Sequence, residues 1–236
     1  DVTKISQDYQ TTFAEGSTLI KAKQAEGHDV KTLSFDEDYA ESERKILNLV
    51  GTNLTELVKD QPLEVTVGRE NEIDRLIQIL TRKTKNSPCL IGEPGVGKSA
   101  IIRGLASKIA TGNVPDALKG YKSIEINLAQ LLAGTMYRGQ FEEKMNELIT
   151  ALREDSKCIA YFDEFQNLMG AGSTGDKSMD ALSMLKPHLS SGDIQMIGAT
   201  THRDYHKYIE SDHAITRRLT LVQVEEPSPD ETLLIL

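Results

Sequence analysis

An apolar run, Cys89-Leu90-Ile91, breaks into Gly92-Glu93-Pro94-Gly95-Val96-Gly97-Lys98-Ser99, the spacing G-x-x-x-x-G-K-S. Those residue types suit the holding of a nucleotide triphosphate. Glycines lack the Cβ that would keep backbone N–H groups from crowding around phosphate oxygens. Lys98 supplies a positive charge for the β- and γ-phosphates, and Ser99 supplies a hydroxyl for Mg²⁺. Ala100 continues into a helix whose N-terminus adds partial positive charge and free donors. The expected contacts to ATP are therefore Gly92, Glu93, Pro94, Gly95, Val96, Gly97, Lys98, Ser99 and Ala100, with Mg²⁺ as the accompanying ion.

Further along, Ile159-Ala160-Tyr161-Phe162 ends in Asp163-Glu164. A carboxylate is a hard oxygen ligand, so Asp163 is expected to share the metal with Ser99, and Glu164 to polarise an attacking water. A third apolar run ends in Gly198-Ala199-Thr200-Thr201. A hydroxyl there either lies between the acids and the γ-phosphate or caps the helix that follows. Arg217 and Arg218 precede a fifth apolar run, either as a solvated pair or as guanidinium groups that reach a neighbour's γ-phosphate.

Strands and helices must alternate to position these groups. Strands are expected at Cys89–Ile91, Ser123–Asn127, Cys158–Phe162, Gln195–Thr200 and Leu219–Val224. Helices are expected from Lys98, with Ile101, Ile102, Leu105 and Ile109 inward, and at Gln140–Leu152, around Met179–Leu189, and at Arg203–Ile209. Ile73, Leu76, Ile77 and Leu80 mark one face of an earlier helix, before a break at Pro88. Such alternation predicts an α/β fold with a parallel sheet covered on both faces. Residues 1–55 carry no strand signal and read as a helical or partly disordered leader, and Pro227-Ser228-Pro229 opens a last helix.

The composition sets limits on partners. With 27 Lys and Arg against 36 Asp and Glu, the formal charge of -9 makes nucleic acid a poor partner. No apolar stretch approaches the length of a membrane span. The two cysteines, Cys89 and Cys158, fall in apolar runs and read as reduced core residues, which fits the cytoplasm. His202 and His206 stand four apart, but H-R-D-Y-H lacks the Glu of a zinc motif and reads as helix surface.

In order and spacing these pieces resemble the first ATPase module of the Clp chaperone family within the AAA+ ATPases. The likeness is carried by Gly51-Thr52-Asn53-Leu54-Thr55, Val67-Gly68-Arg69-Glu70, the loop Gly92–Ser99, Gly134-Thr135-Met136-Tyr137-Arg138-Gly139-Gln140-Phe141-Glu142 and Phe162-Asp163-Glu164. Gly170-Ala171-Gly172, Leu185-Lys186-Pro187, Gly198–Thr201 and Arg217-Arg218 complete it. The resemblance implies an AAA+ P-loop NTPase core of five parallel strands in the order 5-1-4-3-2, spanning 56–227, with the start of a truncated helical lid at 228–236. It implies Thr201 as sensor 1, Arg217 and Arg218 as arginine fingers acting in trans, and Thr66 with Val67 beside the adenine. Tyr137 resembles the pore-loop aromatic that grips an unfolded or aggregated polypeptide in a hexamer, for disaggregation or delivery to a protease or cochaperone partner. The chain departs from the family pattern at Val65, Met136 and Gln166. Two rival readings are a nucleotide-binding assembly scaffold with little turnover and a nucleic-acid remodelling ATPase.

Overall fold

The apolar runs pair into one sheet in a computed structural model of the chain, which describes residues 46–60, 66–135, 137–169, 180–229 and 232–233. Its strands are β1 Gly51–Asn53, β2 Ser87–Ile91, β3 Lys122–Ile126, β4 Cys158–Phe162, β5 Gln195–Thr200 and β6 Leu219–Gln223. The spatial order is β1-β3-β4-β5-β2-β6. All pairs are parallel except β1 against β3. Read from the β6 edge, the five parallel strands follow the order expected from the sequence.

Near-continuous apolar strands need cover on both faces, and both are covered. Alternation along the strands sends Leu90, Tyr161, Ile197, Ala199 and Val222 to one side. There they meet Ile73 and Leu76 of the helix Glu70–Leu80, and Ile101, Ile102 and Leu105 of the helix Lys98–Ala110. Cys89, Ile91, Ala160, Phe162 and Met196 face the other side. They meet Met145, Leu148 and Leu152 of the helix Arg138–Glu154, and Leu182 and Leu185 of the helix Ala181–Ser191. The last of these starts where Asp180 accepts a hydrogen bond from Ser183 N at 2.7 Å, and it stops at Gly192, whose φ is 82°.

Three details differ from the sequence expectation. The sheet has a sixth strand, β1, inside the stretch read as a strandless leader, and Ile46, Val50 and Leu54 are buried in the core. The α/β unit therefore begins before residue 56. β1 is three residues long and gains its order from pairing Gly51 with Ile126 and Asn53 with Ile124, far along the chain. A Cβ on Gly51 would lie 2.6 Å from Leu47 O, so glycine permits that approach. Second, Pro88 lies inside β2 rather than before it. Pairing with β5 starts only at Cys89, so the missing N–H of Pro88 is not needed on that side. Third, the helix expected at Arg203–Ile209 is a short α-turn, His202–Asp204, followed by a π-helical turn, Tyr205–Ile209.

Val65, Met136, Gly170-Ala171-Gly172 and the leader up to residue 45 lie outside the described residues. Among the described residues, no helix is long and apolar enough to cross a membrane.

Candidate nucleotide site at the carboxyl end of the sheet

β2 ends at Ile91, and the chain turns at Gly92 under the residues that follow β6. Val224 N donates to Ile91 O at 2.8 Å, and a Cβ on Gly92 would stand 2.4 Å from Val224 O. Gly95 (φ 84°) and Gly97 (φ 99°) take left-handed conformations that bend the loop onto the helix Lys98–Ala110. Gly97 heads that helix and has no side chain to cap it, so the first-turn N–H groups are open to an anion. Lys98 Nζ folds back, donating to Gly92 O at 2.8 Å and Glu93 O at 2.9 Å. Glu93, Pro94, Gly95, Ser99 and Ala100 are exposed, while Val96 is buried beneath them. Thr66 and Val67 are half-buried, and Thr66 Oγ1 approaches Ala100 O on the flank of the same helix.

The sheet order puts β5 between the phosphate-loop strand and the acid-bearing strand. Thr200 pairs with Ile91 on one side, and Gly198 with Phe162 on the other. Asp163 Oδ1 accepts Glu164 N at 3.0 Å, and Glu164 turns out of the strand at φ 47°. Asn167 Nδ2 donates to Glu164 Oε2 at 2.9 Å and restrains the carboxylate. Thr200 is buried and donates to Gln166 Oε1 at 2.7 Å, so the turn after the acids is tied to β5. Thr201 caps the next turn, accepting Asp204 N at 3.1 Å and donating to Asp204 Oδ2 at 2.7 Å. The capping alternative for this threonine is therefore realised, at a point that also lies beside both loops.

Charge is concentrated here. Burial first, then the nearby Asp163, push the Glu125 carboxyl upward, against the opposing pull of Arg103. Tyr161, two residues before Asp163 and on the same strand face, has a buried hydroxyl that makes no well-formed hydrogen bond among the described residues, with Asp163 and Ser99 beside it. Burial first, then Asp163, hold that phenol well above its usual range, with Ser99 as its other polar neighbour. The upward push on Glu125 from Asp163 marks a locally negative region that a cation would relieve. Among the described residues no group of three or more His, Cys, Asp or Glu could hold a metal. Ser99 and Asp163 could hold Mg²⁺ only with phosphate oxygens completing its shell, which is how that ion is usually bound.

Two expected features lie elsewhere. Arg217 and Arg218 form the turn between the helix His213–Thr216 and β6. Because β6 runs parallel to β2, that turn is at the opposite end of the sheet from the phosphate loop. Five strand residues separate the two ends by roughly 15 Å, so these arginines do not converge on their own chain's loop. Tyr137 is 72% exposed at the start of the helix Arg138–Glu154.

Residues 88–223 match the family described as "ATPase family associated with various cellular activities (AAA)". The chain belongs to the AAA ATPase family. Within it, the chain is 50% identical over 186 residues to the chloroplastic chaperone protein ClpC3 of Oryza sativa subsp. japonica, covering 79% of this chain and 20% of that protein. It is 46% identical over 197 residues to the ATP-dependent Clp protease ATP-binding subunit ClpE of Lactococcus lactis subsp. lactis (strain IL1403), covering 84% and 26%. A cryo-electron microscopy structure titled as closed-state Hsp104 with ATPγS and FITC casein superposes with a TM-score of 0.73. It is 40% identical, covering 81% of this chain and 32% of the other. The Hsp104–ADP complex of S. cerevisiae gives a TM-score of 0.71 at 40% identity, covering 80% and 26%. The chain spans about a fifth of the length of the first curated relatives that it matches. The Clp resemblance read from the sequence and the α/β AAA+ fold are both borne out.

Sequence reading overlooked several residues that line the candidate site. Tyr161 and Glu125 carry a visible signal, a polar atom inside an otherwise apolar strand. The bonds from Asn167 to Glu164 and from Thr200 to Gln166 depend on local turn geometry that residue spacing does not display.

Proposed function

We propose that the chain binds and hydrolyses ATP as the module of a Clp-type unfoldase or disaggregase that threads polypeptides through a hexamer. The observation that carries this reading is the meeting of three loop systems at one sheet end: Lys98 and Ser99 after β2, Asp163 and Glu164 after β4, and Thr201 after β5. Residues 92–100 would cradle the phosphates, with Thr66 and Val67 beside the base. On phosphate arrival Lys98 exchanges its two carbonyl partners for phosphate oxygens and keeps its charge compensated. Ser99 and Asp163 would hold Mg²⁺, which neutralises charge on the phosphates when bound. Glu164 accepts the proton of the attacking water, and its bond from Asn167 aims the carboxylate. Thr201 senses the γ-phosphate through the turn that it caps.

Arg217 and Arg218 serve the neighbouring subunit, since their distance from their own loop leaves them free for another. Tyr137 presents an exposed ring whose apolar body and polar tip tolerate many side chains, as a pore contact must. The polypeptide is unfolded or aggregated, with a protease or cochaperone as a further partner. The two buried free thiols are consistent with a reducing compartment, and we place the protein in the cytoplasm.

The test is steady-state phosphate release by this chain with ATP and Mg²⁺, across protein concentrations and with casein as an unfolded polypeptide. A rate that rises with both supports the reading. Tight nucleotide binding without release at any concentration would instead make the chain a nucleotide-holding assembly scaffold.

A further inference from the structure

Arg69 has no part in the chemistry above, yet among the described residues it is the one charged residue that is buried, at 7% exposure. It precedes the helix Glu70–Leu80, on the sheet face that carries the phosphate-loop helix. Its Nη2 donates to Val96 O of the phosphate loop at 2.6 Å and to Glu225 O at 2.9 Å. Its Nη1 donates to Glu72 Oε1 at 2.8 Å, which fixes the plane of the guanidinium. A Cβ on Gly97 would lie 3.7 Å from Arg69 Nε, so the side chain also lies along the last turn of the loop.

One nitrogen thus spans two carbonyls that are far apart in sequence, one in the loop and one two residues past β6. A planar, permanently charged fork suits such a bridge, and the Glu72 carboxylate compensates its charge locally. A turn of the Val96 peptide on phosphate binding would pull on Arg69, and the second hydrogen of the same Nη2 would then shift against Glu225. The path is a continuous chain of hydrogen bonds between the loop and the segment Glu225–Pro227 leading out of the sheet.

We propose that Arg69 is a positioning residue that couples occupancy of the phosphate loop to the chain leaving β6, and so transmits the nucleotide state to whatever follows Pro227. The proposal rests on the nucleotide-binding reading of the same loop.

The experiment is hydrogen exchange on the full chain with and without saturating MgADP, a nucleotide that is not turned over, following peptides covering 93–99 and 222–228. In the unaltered chain both peptides gain protection. In Arg69→Met the loop peptide still gains protection and the 222–228 response shrinks to what the direct contact of Val224 with Ile91 and Gly92 transmits. In Arg69→Lys the response at 222–228 is partial, because one ammonium lacks the fixed fork that spans both carbonyls. Should Arg69→Met fail to fold, Glu72→Gln carries the test, since it loosens the guanidinium plane and is expected to weaken the 222–228 response.

An unchanged 222–228 response in the folded Arg69 variants and Glu72→Gln overturns the proposal. If MgADP protects 93–99 in the unaltered chain but leaves 222–228 unaffected, the coupling fails while the nucleotide reading stands. If MgADP protects neither peptide, the nucleotide reading itself fails, and the coupling with it.

Discussion

At the carboxyl ends of β2, β4 and β5 the reactive side chains are tied down: Lys98 by two carbonyls, Glu164 by Asn167, Thr200 by Gln166 and Thr201 by Asp204. At the amino end of β6 the two arginines differ from each other and from that pattern. Arg217 is exposed, and Arg218 Nε is buried without a hydrogen-bond partner. The first end holds its side chains in fixed hydrogen bonds, the kind of preorganisation from which electrostatic catalysis gains most. The second carries an exposed guanidinium on Arg217, which the proposed role in a neighbouring subunit's site would use. Half of the site would then be local and half contributed from outside.

The largest effect that separates the two ends should come from Lys98→Ala. We expect nucleotide affinity, read by equilibrium titration, to fall at least about 100-fold, or roughly 2.7 kcal/mol, with the fold intact by circular dichroism. A change under about threefold would remove Lys98 from the binding contacts. Glu164→Gln sharpens the division within the first end: affinity should stay within about twofold while turnover falls by on the order of 100-fold or more. Turnover near that of the unaltered chain would reassign the base.

A smaller effect is expected at Tyr161→Phe. Removing a buried hydroxyl that makes no well-formed hydrogen bond should leave the melting temperature without nucleotide unchanged or raised, since such a group costs about 1–3 kcal/mol. The added stabilisation on MgADP binding should shrink if the hydroxyl faces the bound ion's shell. An equal shift with and without MgADP would make Tyr161 a core residue only.

The smallest effect concerns the scaffold of the arginine end. Burial acts to raise the Asp212 carboxyl, but the Lys186 ammonium at 2.6 Å and the N–H groups of Ile215 and Ala214 outweigh it and leave it below its ordinary value. A lowered folded value means that this stabilisation is present above the ordinary value near 3.8 and is lost as pH falls through the folded value. Melting temperatures measured from pH 6 down to pH 2 should fall less steeply in Asp212→Asn, and identical slopes would contradict that assignment.

Much of the site was legible because it is written locally. Gly92–Ser99 and Asp163-Glu164 are contiguous, and strand alternation fixes which way they point, so residue types alone predict the chemistry, while the strand order followed from the family resemblance that these motifs carry. β1 was not legible, because Gly51-Thr52-Asn53 has little strand propensity of its own and pairs with a partner more than 70 residues away. Arg69 appeared in the sequence only as part of Val67-Gly68-Arg69-Glu70, since its two carbonyl partners lie 27 and 156 residues further along. Thr201 could be read two ways because a cap and a sensor require the same hydroxyl at the same strand end.

The most direct measurement mixes two inactive variants. Glu164→Gln keeps its arginines but lacks the base, and the double variant Arg217→Ala with Arg218→Ala keeps the base but lacks the arginines. At a concentration where the unaltered chain releases phosphate, each variant alone should be inactive and the mixture should regain phosphate release, as arginines of one chain complete the site of another. Release by the arginine variant alone at the unaltered rate, or a mixture no more active than its components, would contradict a site shared between the two ends of neighbouring sheets.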